Sequence, residues 1–331
     1  SIIYFSYFTI CFIVKLLQMK SNIKWPELDF NQSKDTLYTV QMWTQIVGKI
    51  RLRNLPWLNH SWNSTLYVSP TGLTTNSINY SDGLFQIDFD FIRHQLIVQT
   101  SSGEKKVIEL YARSVASFYK ELMQTLESVG IKTSIYATPN EVDPAIPFAE
   151  DEVHCSYDAN QINLFWKALV KVNIVFNRFR VRFIGKCSPV HFFWGSFDLA
   201  VTRFSGRTAP LHPGGAPNIP LKVMQEAYSH ELSSCGFWPG NEQFPEAVFY
   251  AYCYPSNPDF SKQPVEPAAA YFSEQMGEFL LSYEAVRKSN DPGKMLLQFM
   301  QSTYEAAANT AKWDRDGLEC DLSAFSNTVG I

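Results

Sequence analysis

Histidine and carboxylate side chains of metal-binding type are concentrated in the second half of the chain. His212, His230 and Glu231 belong to the residue types that bind zinc, manganese or iron, and a catalytic metal site needs about three such ligands. We therefore take His212 and His230 as candidate ligands of a divalent transition metal, with Asp198 or His191 as the third. No H-E-x-x-H motif is present, so the pattern alone does not establish a metal site.

The same residues could transfer protons without a metal. His230 next to Glu231, and His191 with Asp198, could form histidine–carboxylate pairs. His230, Glu231, His191 and Asp198 are therefore the candidate catalytic residues. The alternative is that these histidines make ordinary structural hydrogen bonds. A G-x-S-x-G motif is absent, which gives no support to a serine hydrolase.

A third group of residues could bind an anionic or aromatic ligand. Arginine forks suit carboxylate and phosphate, glycines allow close backbone approach, and tryptophans line pockets. The candidate substrate-binding residues are Arg203, Arg207, Gly214, Gly215, Trp194 and Trp238. The alternatives are arginines paired with acids on a solvated face and tryptophans in the core. Neither a Walker A motif nor G-x-G-x-x-G occurs, so a standard nucleotide-binding loop is not expected.

Composition limits the class of protein to which these residues belong. The chain has 331 residues, 46% of them hydrophobic, which excludes a disordered chain. The net charge of −4 argues against a nucleic-acid-binding protein. Six scattered cysteines without a C-x-x-C pair indicate free thiols in a reducing compartment, and we predict a cytoplasmic location.

The first residues are apolar. Residues 1–18 contain one charge, Lys15, after 14 residues, which is short of the roughly 20 that cross a membrane. They lack a basic start and a small-residue cleavage site, so they are not typical of a signal peptide. We expect them to be sequence upstream of a start at Met19 or a short apolar segment. The alternative is a membrane anchor. Contact with a membrane is expected only if residues 1–18 are translated as part of the protein.

Periodicity predicts similar elements in two halves. In 19–137, helices are expected near 35–47 and 114–129 and strands near 49–53, 64–74, 85–91, 96–98, 107–110 and 132–137. After a connecting loop over 138–158, the half 159–319 repeats a helix near 164–176, strands near 178–182, 191–204, 247–254, 269–273 and 278–282, and a helix near 292–311. A tail follows over 320–331. This order predicts an α+β fold with antiparallel sheets and flanking helices.

The two halves resemble each other in order, which suggests two α-β5-α units. Lys49, Arg51 and Arg53 match Arg178, Arg180 and Arg182, at the same offset along the chain. The alternative is coincidence, because α+β proteins reuse such patterns. The second half has an additional segment, 205–246, whose aromatic and histidine content indicates an ordered lid or pocket wall.

Several segments together resemble one uncharacterised, largely bacterial family, catalogued as domain of unknown function 5996. They are QMWTQIVGKIRLR (41–53), TGLTTNSINYSDGLFQIDFDF (71–91), FIGKCSPVHFFWGSFDLAVTRFSGR (183–207), LHPGGAPN (211–218), AYSHELSSCGFWPG (227–240) and QSTYEAAANTAKWDR (301–315). The resemblance covers about residues 24–319 and implies a single cytosolic module with no assigned reaction. Cys187 and Cys235 stand where small apolar residues are expected, which weakens the case for a cysteine nucleophile.

These observations predict a small-molecule site near 191–246. We favour an enzyme that acts on an anionic small substrate, with an aromatic ligand as a further option. The alternatives are a non-catalytic metabolite-binding protein and a structural or interaction module. Nucleic acid is not expected as a partner, and the sequence does not determine the oligomeric state.

Overall fold

A computed structural model of the chain describes residues 24–321. In these residues the helices are α1 (Phe30–Asn54), α2 (Val115–Ser128), α3 (Ala159–Arg180), α4 (Leu221–Ala227), α5 (Tyr283–Lys288), α6 (Pro292–Thr310) and α7 (Arg315–Leu318). The strands are β1 (Tyr67–Val68), β2 (Gly72–Thr74), β3 (Ile78–Tyr80), β4 (Gly83–Asp90), β5 (Gln95–Thr100), β6 (Lys105–Glu109), β7 (His191–Phe193), β8 (Asp198–Thr208), β9 (His230–Trp238), β10 (Val248–Tyr254), β11 (Tyr271–Ser273) and β12 (Glu278–Ser282). The predictions for residues 1–18 and for nearly all of the 320–331 tail lie outside the described residues.

The strands form two six-stranded sheets. The first has the order β1-β2-β4-β5-β6, and β3 pairs with β4 on the edge that β2 also uses. The second has the order β7-β8-β9-β10-β12-β11. Each pairing in both sheets is antiparallel. The predicted α+β fold with antiparallel sheets is confirmed.

Two stretches predicted as strands end helices instead. Lys49–Arg53 lies inside α1, and 178–182 contains the last turn of α3. Alternation over five residues is too short to separate a strand from a helix. In α1, Ile46, Val47 and Ile50 are buried at helical spacing. Each residue added to an existing helix gains a backbone hydrogen bond without needing a neighbouring strand, so the helix continues through the alternating stretch.

The structure also places a central strand in the segment 205–246, which we expected to be a lid or pocket wall. β9 pairs with β8 on one side and with β10 on the other. Most of this strand is buried, which removes the alternation that reveals a half-exposed strand. The loop before α4 and the helix α4 itself remain outside the sheet. The stretch 132–137, predicted as a strand, is irregular.

Helices α3 and α6 cover one face of the second sheet. Arg203 of β8 packs on Phe179 of α3, and Cys235 of β9 lies against the carbonyl of Met300 in α6. Because side chains alternate along a strand, the other face carries Asp198, Ala200, Thr202, Ser234, Gly236, Tyr250, Tyr252 and His191, which the pairing register places on one side. We call this the distal face.

A short backbone bridge joins the two sheets. Leu66, just before β1, and Phe192 of β7 exchange backbone hydrogen bonds of 2.9 and 2.8 Å. Both side chains are fully buried within one core cluster that draws residues from both halves. No helix among residues 24–321 is both long enough and apolar enough to cross a membrane.

Candidate functional site

Strand alternation separates the predicted site residues into two groups. His191, Asp198, His230 and Trp238 project from the distal face, whereas Arg203 projects to the helices. Glu231 follows His230 on β9 and therefore lies on the opposite face from it. The predicted His230–Glu231 pair thus does not form.

Both predicted anion-binding arginines are engaged elsewhere. The Arg203 guanidinium is 3.5 Å from the centroid of the Phe179 ring and 4.4 Å from that of Tyr304, and it donates to the Phe179 carbonyl. Arg207 pairs with Glu231 at 2.6 Å and also donates to the carbonyl of Ala311 at 2.6 Å. Neither arginine faces Asp198 or His191, so the structure does not bring this clamp to the distal face.

The predicted metal ligands are not assembled into a metal site. His212 stacks on Tyr228 with centroids 4.4 Å apart, and its Nδ1 accepts a hydrogen bond from the Gly214 backbone at 3.0 Å. His230 Nδ1 lies 3.0 Å from Ser229 Oγ. Within residues 24–321, no group of three or more His, Cys, Asp or Glu side chains is placed to hold a metal ion.

The remaining predicted binding residues lie in three different places. Trp194 is buried and donates from Nε1 to the Ser64 carbonyl at 2.7 Å. Trp238 is half-buried on the distal face beside Phe244. Gly214 and Gly215 have φ angles of 86° and 124°, and they turn the exposed loop that precedes α4.

Asp198 is the centre of a cluster of acidic and tyrosine side chains on the distal face. It is 5% exposed and accepts hydrogen bonds from Ser196 Oγ at 2.6 Å and from the Tyr250 hydroxyl. Burial raises the pKa of its carboxyl, and these two donors oppose that shift. Burial and the nearby Asp198 carboxylate raise the pKa of Tyr250 well above its usual range. The hydroxyl therefore stays protonated and donates a hydrogen bond to Asp198.

Glu141 and Glu278 lie close enough to Asp198 for its charge to affect their pKa values. Burial, with repulsion from Asp198 as the second cause, raises the pKa of each carboxyl to about 7. Both side chains are half-buried. Among the described residues, no hydrogen bond or ion pair satisfies either carboxyl.

Small residues leave room for tyrosine rings across this face. The Tyr250 ring lies over Gly236, where a Cβ atom would collide with it, and in this way the hydroxyl reaches Asp198 two strands away. The Tyr228 and Tyr252 hydroxyls are 3.1 Å apart. Ala200, Thr202 and Ser234 next to Gly236 are also small. The centre of the distal face therefore has small side chains, and hydroxyls and carboxyls border it.

Helix α1 fixes the loop that carries Glu141. Gln45 exchanges two hydrogen bonds of 2.8 Å with the backbone of Asn140, and Lys49 donates to the Asn140 side chain. Glu141 has a φ of 59° and Phe197, just before Asp198, has a φ of 60°; both angles are uncommon for residues other than glycine. Two unfavourable backbone conformations therefore flank the carboxyl cluster, and such strain concentrates at functional sites.

A basic cluster of His60, Lys186 and His230 lies at the opposite end of the distal face from Asp198. His60 Nδ1 is 2.9 Å from the Ala227 carbonyl and its Nε2 meets the Lys186 ammonium, which requires a neutral ring that donates from Nδ1. Burial lowers the pKa of His60, in agreement with that neutral form. His60 stacks on Phe204, and its ring centroid is 5.9 Å from that of His230.

His191 stands between these two clusters. It is 1% exposed and is surrounded by the rings of Trp62, Tyr67 and Phe193 at centroid distances of 5.5–5.6 Å. In the part of the chain that the structure describes, neither ring nitrogen has a hydrogen-bond partner. Burial, with the charges of Arg51 and Arg180 as further causes, lowers its pKa to about 3.

Sequence reasoning missed Glu141, Glu278 and Tyr250. Glu141 lies in a loop that no periodic pattern predicts, and Glu278 is the first residue of a strand. Tyr250 belongs to the alternation Tyr250-Ala-Tyr252-Cys-Tyr254, which was a visible signal of a polar strand face.

A separate cleft of about 640 Å³ opens where α1 ends. It is lined by Arg53, Asn54, Asn79, Tyr80, Ser81, Lys132, Thr133 and Ser134. None of the predicted site residues lines it, and it is apart from the carboxyl cluster.

The fold and the site define an α+β protein with partnerless carboxyls on one face of an antiparallel sheet. The model of the Family of unknown function (DUF5996) matches residues 25–320, and the chain belongs to this family. The predicted family membership is confirmed. No curated protein and no solved structure matches the chain. The description of the family names no reaction.

Proposed function

We propose that this protein is an enzyme that transfers protons to and from an anionic small molecule bound on the distal face. The observation that carries the proposal is the pair Glu141 and Glu278, whose carboxyls have no partner within residues 24–321 and have pKa values raised to about 7, with Asp198 as one cause. A general acid or base is most effective when its pKa lies near the ambient pH. Perturbed carboxyls of this kind concentrate at catalytic sites.

The three carboxyls have different tasks in this proposal. Asp198 is held by Tyr250 and Ser196, and its charge keeps a proton on its neighbours. With pKa values near 7, Glu141 and Glu278 together hold about one proton at neutral pH. One carboxyl then donates that proton to the substrate while the other accepts one, and the pair ends the step with the same total charge.

The cost of these groups to the fold supports a functional role. A half-buried carboxyl without a partner loses hydration and gains nothing in return. Natural proteins retain such groups where activity requires them. A carboxyl with a purely structural role would be expected to pair with a lysine, an arginine or a backbone N–H donor.

Native mass spectrometry of the protein purified without chelator tests the proposal. We expect a bound organic mass on the unaltered protein, lost in Glu141→Gln and Glu278→Gln and kept in Glu274→Gln. Glu274 is a matched control because it is exposed in the turn that precedes β12. A bare polypeptide, together with no response of the melting temperature to a panel of metabolites, would contradict the proposal. A bound transition metal would instead favour the predicted His212 and His230 ligands.

Turnover separates an enzyme from a binding protein. We expect the bound compound to be converted by the unaltered protein, and Asp198→Asn to reduce the rate by about 10²-fold or more while the compound still binds. A ligand recovered unchanged after prolonged incubation would favour the non-catalytic metabolite-binding alternative.

We further propose a cytoplasmic location and an internal duplication. The free thiols of Cys155, Cys187, Cys235, Cys253 and Cys320 support the location. For the duplication, each half has a first helix followed by a six-stranded antiparallel sheet. Near the end of these helices, Arg51 Nε donates to Thr65 at 2.8 Å and Arg180 Nε donates to Ser188 at 2.7 Å, in each case just before the first strand.

A further inference from the structure

The His191 side chain is a further unsatisfied polar group on the distal face. Within the described residues its two buried ring nitrogens have no partner, although an imidazole always carries at least one N–H donor. Leaving a buried donor unpaired destabilises the folded state. Native proteins contain few such groups, and a bound water, ion or ligand is one explanation for each of them.

Two arginines, Arg51 and Arg180, carry positive charge that acts on this ring. Arg51 Nε donates to the Thr65 carbonyl and Arg180 Nε donates to the Ser188 carbonyl, so the backbone on either side of the sheet junction fixes both guanidinium groups. The Arg51 guanidinium also lies 5.4 Å from the centroid of the Tyr67 ring. Within the described residues, no carboxylate pairs with either arginine.

The charges of both arginines reach His191. Like burial, they disfavour a positive charge on the imidazole and so lower its pKa. The Tyr67 ring that Arg51 faces is 5.5 Å from the His191 ring between centroids, and Arg180 is held at Ser188, three residues before His191. A neutral histidine that donates from one ring nitrogen, together with these two guanidinium groups, is a set of hydrogen-bond donors suited to an oxyanion. An anion there would pair the orphaned ring and offset the positive charge.

We propose that His191, Arg51 and Arg180 form an oxyanion-binding subsite that holds a carboxylate or phosphate group of the ligand. The inference rests on the proposed function, because it assigns the charged end of the same substrate. Since His191 pairs with Ala200, two residues from Asp198 on β8, the anionic end lies roughly 7–8 Å from Asp198. The carboxyls then face an uncharged part of the molecule.

Titration with inorganic phosphate and with acetate tests the subsite directly. At constant ionic strength, we expect saturable binding of at least one of them by calorimetry, with chloride as the reference anion. Binding should weaken about tenfold or more in Arg180→Gln and in His191→Phe, which keeps an aromatic ring but removes both nitrogens. Arg178→Gln is the matched control, because Arg178 is exposed on the same helix and loses the same charge.

The outcomes separate this inference from the proposed function. A stronger response to phosphate would indicate a phosphorylated substrate, and a stronger response to acetate a carboxylic acid. Equal binding by the unaltered protein, Arg180→Gln and His191→Phe, or no saturable binding at all, would overturn the subsite. Glu278→Gln should retain the anion response in full. Loss of the organic ligand in that variant tests the carboxyls alone.

Discussion

Glu278 shows at the scale of one residue how a functional group can oppose stability. Its folded pKa of about 7 lies above the ordinary value of 4.5, so the folded state binds the proton more tightly than the unfolded state does. The contribution of Glu278 to the free energy of unfolding is therefore fully present below about pH 4.5, and it is lost as the pH rises toward 7. Glu278→Gln should match the unaltered protein near pH 4.5 and exceed it in free energy of unfolding by roughly 1–2 kcal/mol above pH 7. The full shift corresponds to about 3 kcal/mol, which partial solvation reduces.

Urea unfolding between pH 4.5 and 8 measures this difference. Glu274→Gln removes an exposed carboxyl from the adjacent turn and should change the free energy of unfolding by less than about 0.5 kcal/mol at every pH. If Glu278→Gln were less stable than the unaltered protein at pH 7.5, Glu278 would have a structural partner and its proposed role would fail.

Single residue types could be predicted from the sequence better than the pairs they form. His191 and Asp198 are recognisable as reactive types, and the structure brings both to the distal face. Arg203 and Glu231 have equally suitable types, but strand alternation turns them to the opposite face. That separation depends on β9 being a strand, which its continuous burial conceals in the sequence.

Strand β9 is the element that makes room for the site. Gly236 lies under the Tyr250 ring, and any side chain there would push the ring away from Asp198. We expect Gly236→Ala to lower the free energy of unfolding by about 1–3 kcal/mol because it overpacks a buried position. It should also release the Tyr250 hydroxyl, visible as a pKa of Tyr250 moved back toward 10 in a spectroscopic titration.

Gly293→Ala provides the control for that variant. Gly293 lies in the first turn of α6, and a Cβ atom there would meet only ordinary contacts of 3.7 Å or more. Alanine favours helix over glycine, so stability should be unchanged or slightly higher. An unperturbed Tyr250 titration in Gly236→Ala would contradict the packing argument.

Elements with long periodic patterns were predictable, and short ones were not. α2 and α6 were predicted within one residue at their ends because their apolar spacing is sustained over several turns. The alternating stretches at 49–53 and 178–182 were misassigned because each continues a helix whose packing is decided by residues far away in the sequence.

At the scale of the whole molecule, the two halves share one core. The Leu66–Phe192 bridge connects the sheets, and buried residues from both halves form a single cluster around it. The sequence predicted two similar halves, but it held no signal for this junction, since the pairing of Leu66 with Phe192 spans more than a hundred residues. One shared core predicts one cooperative unfolding transition.

Phe192→Ala tests that cooperativity. Removing a fully buried phenylalanine at the junction should lower the free energy of unfolding by about 3–5 kcal/mol. Because the halves share a core, hydrogen exchange should show equal loss of protection for the slowest amides of β5 in the first sheet and β10 in the second. Phe272→Ala, on the edge strand β11, should also lower protection in both sheets equally, by a smaller amount. Loss confined to the second sheet in either variant would show that the halves unfold separately, and the junction would then be a contact between two independent units.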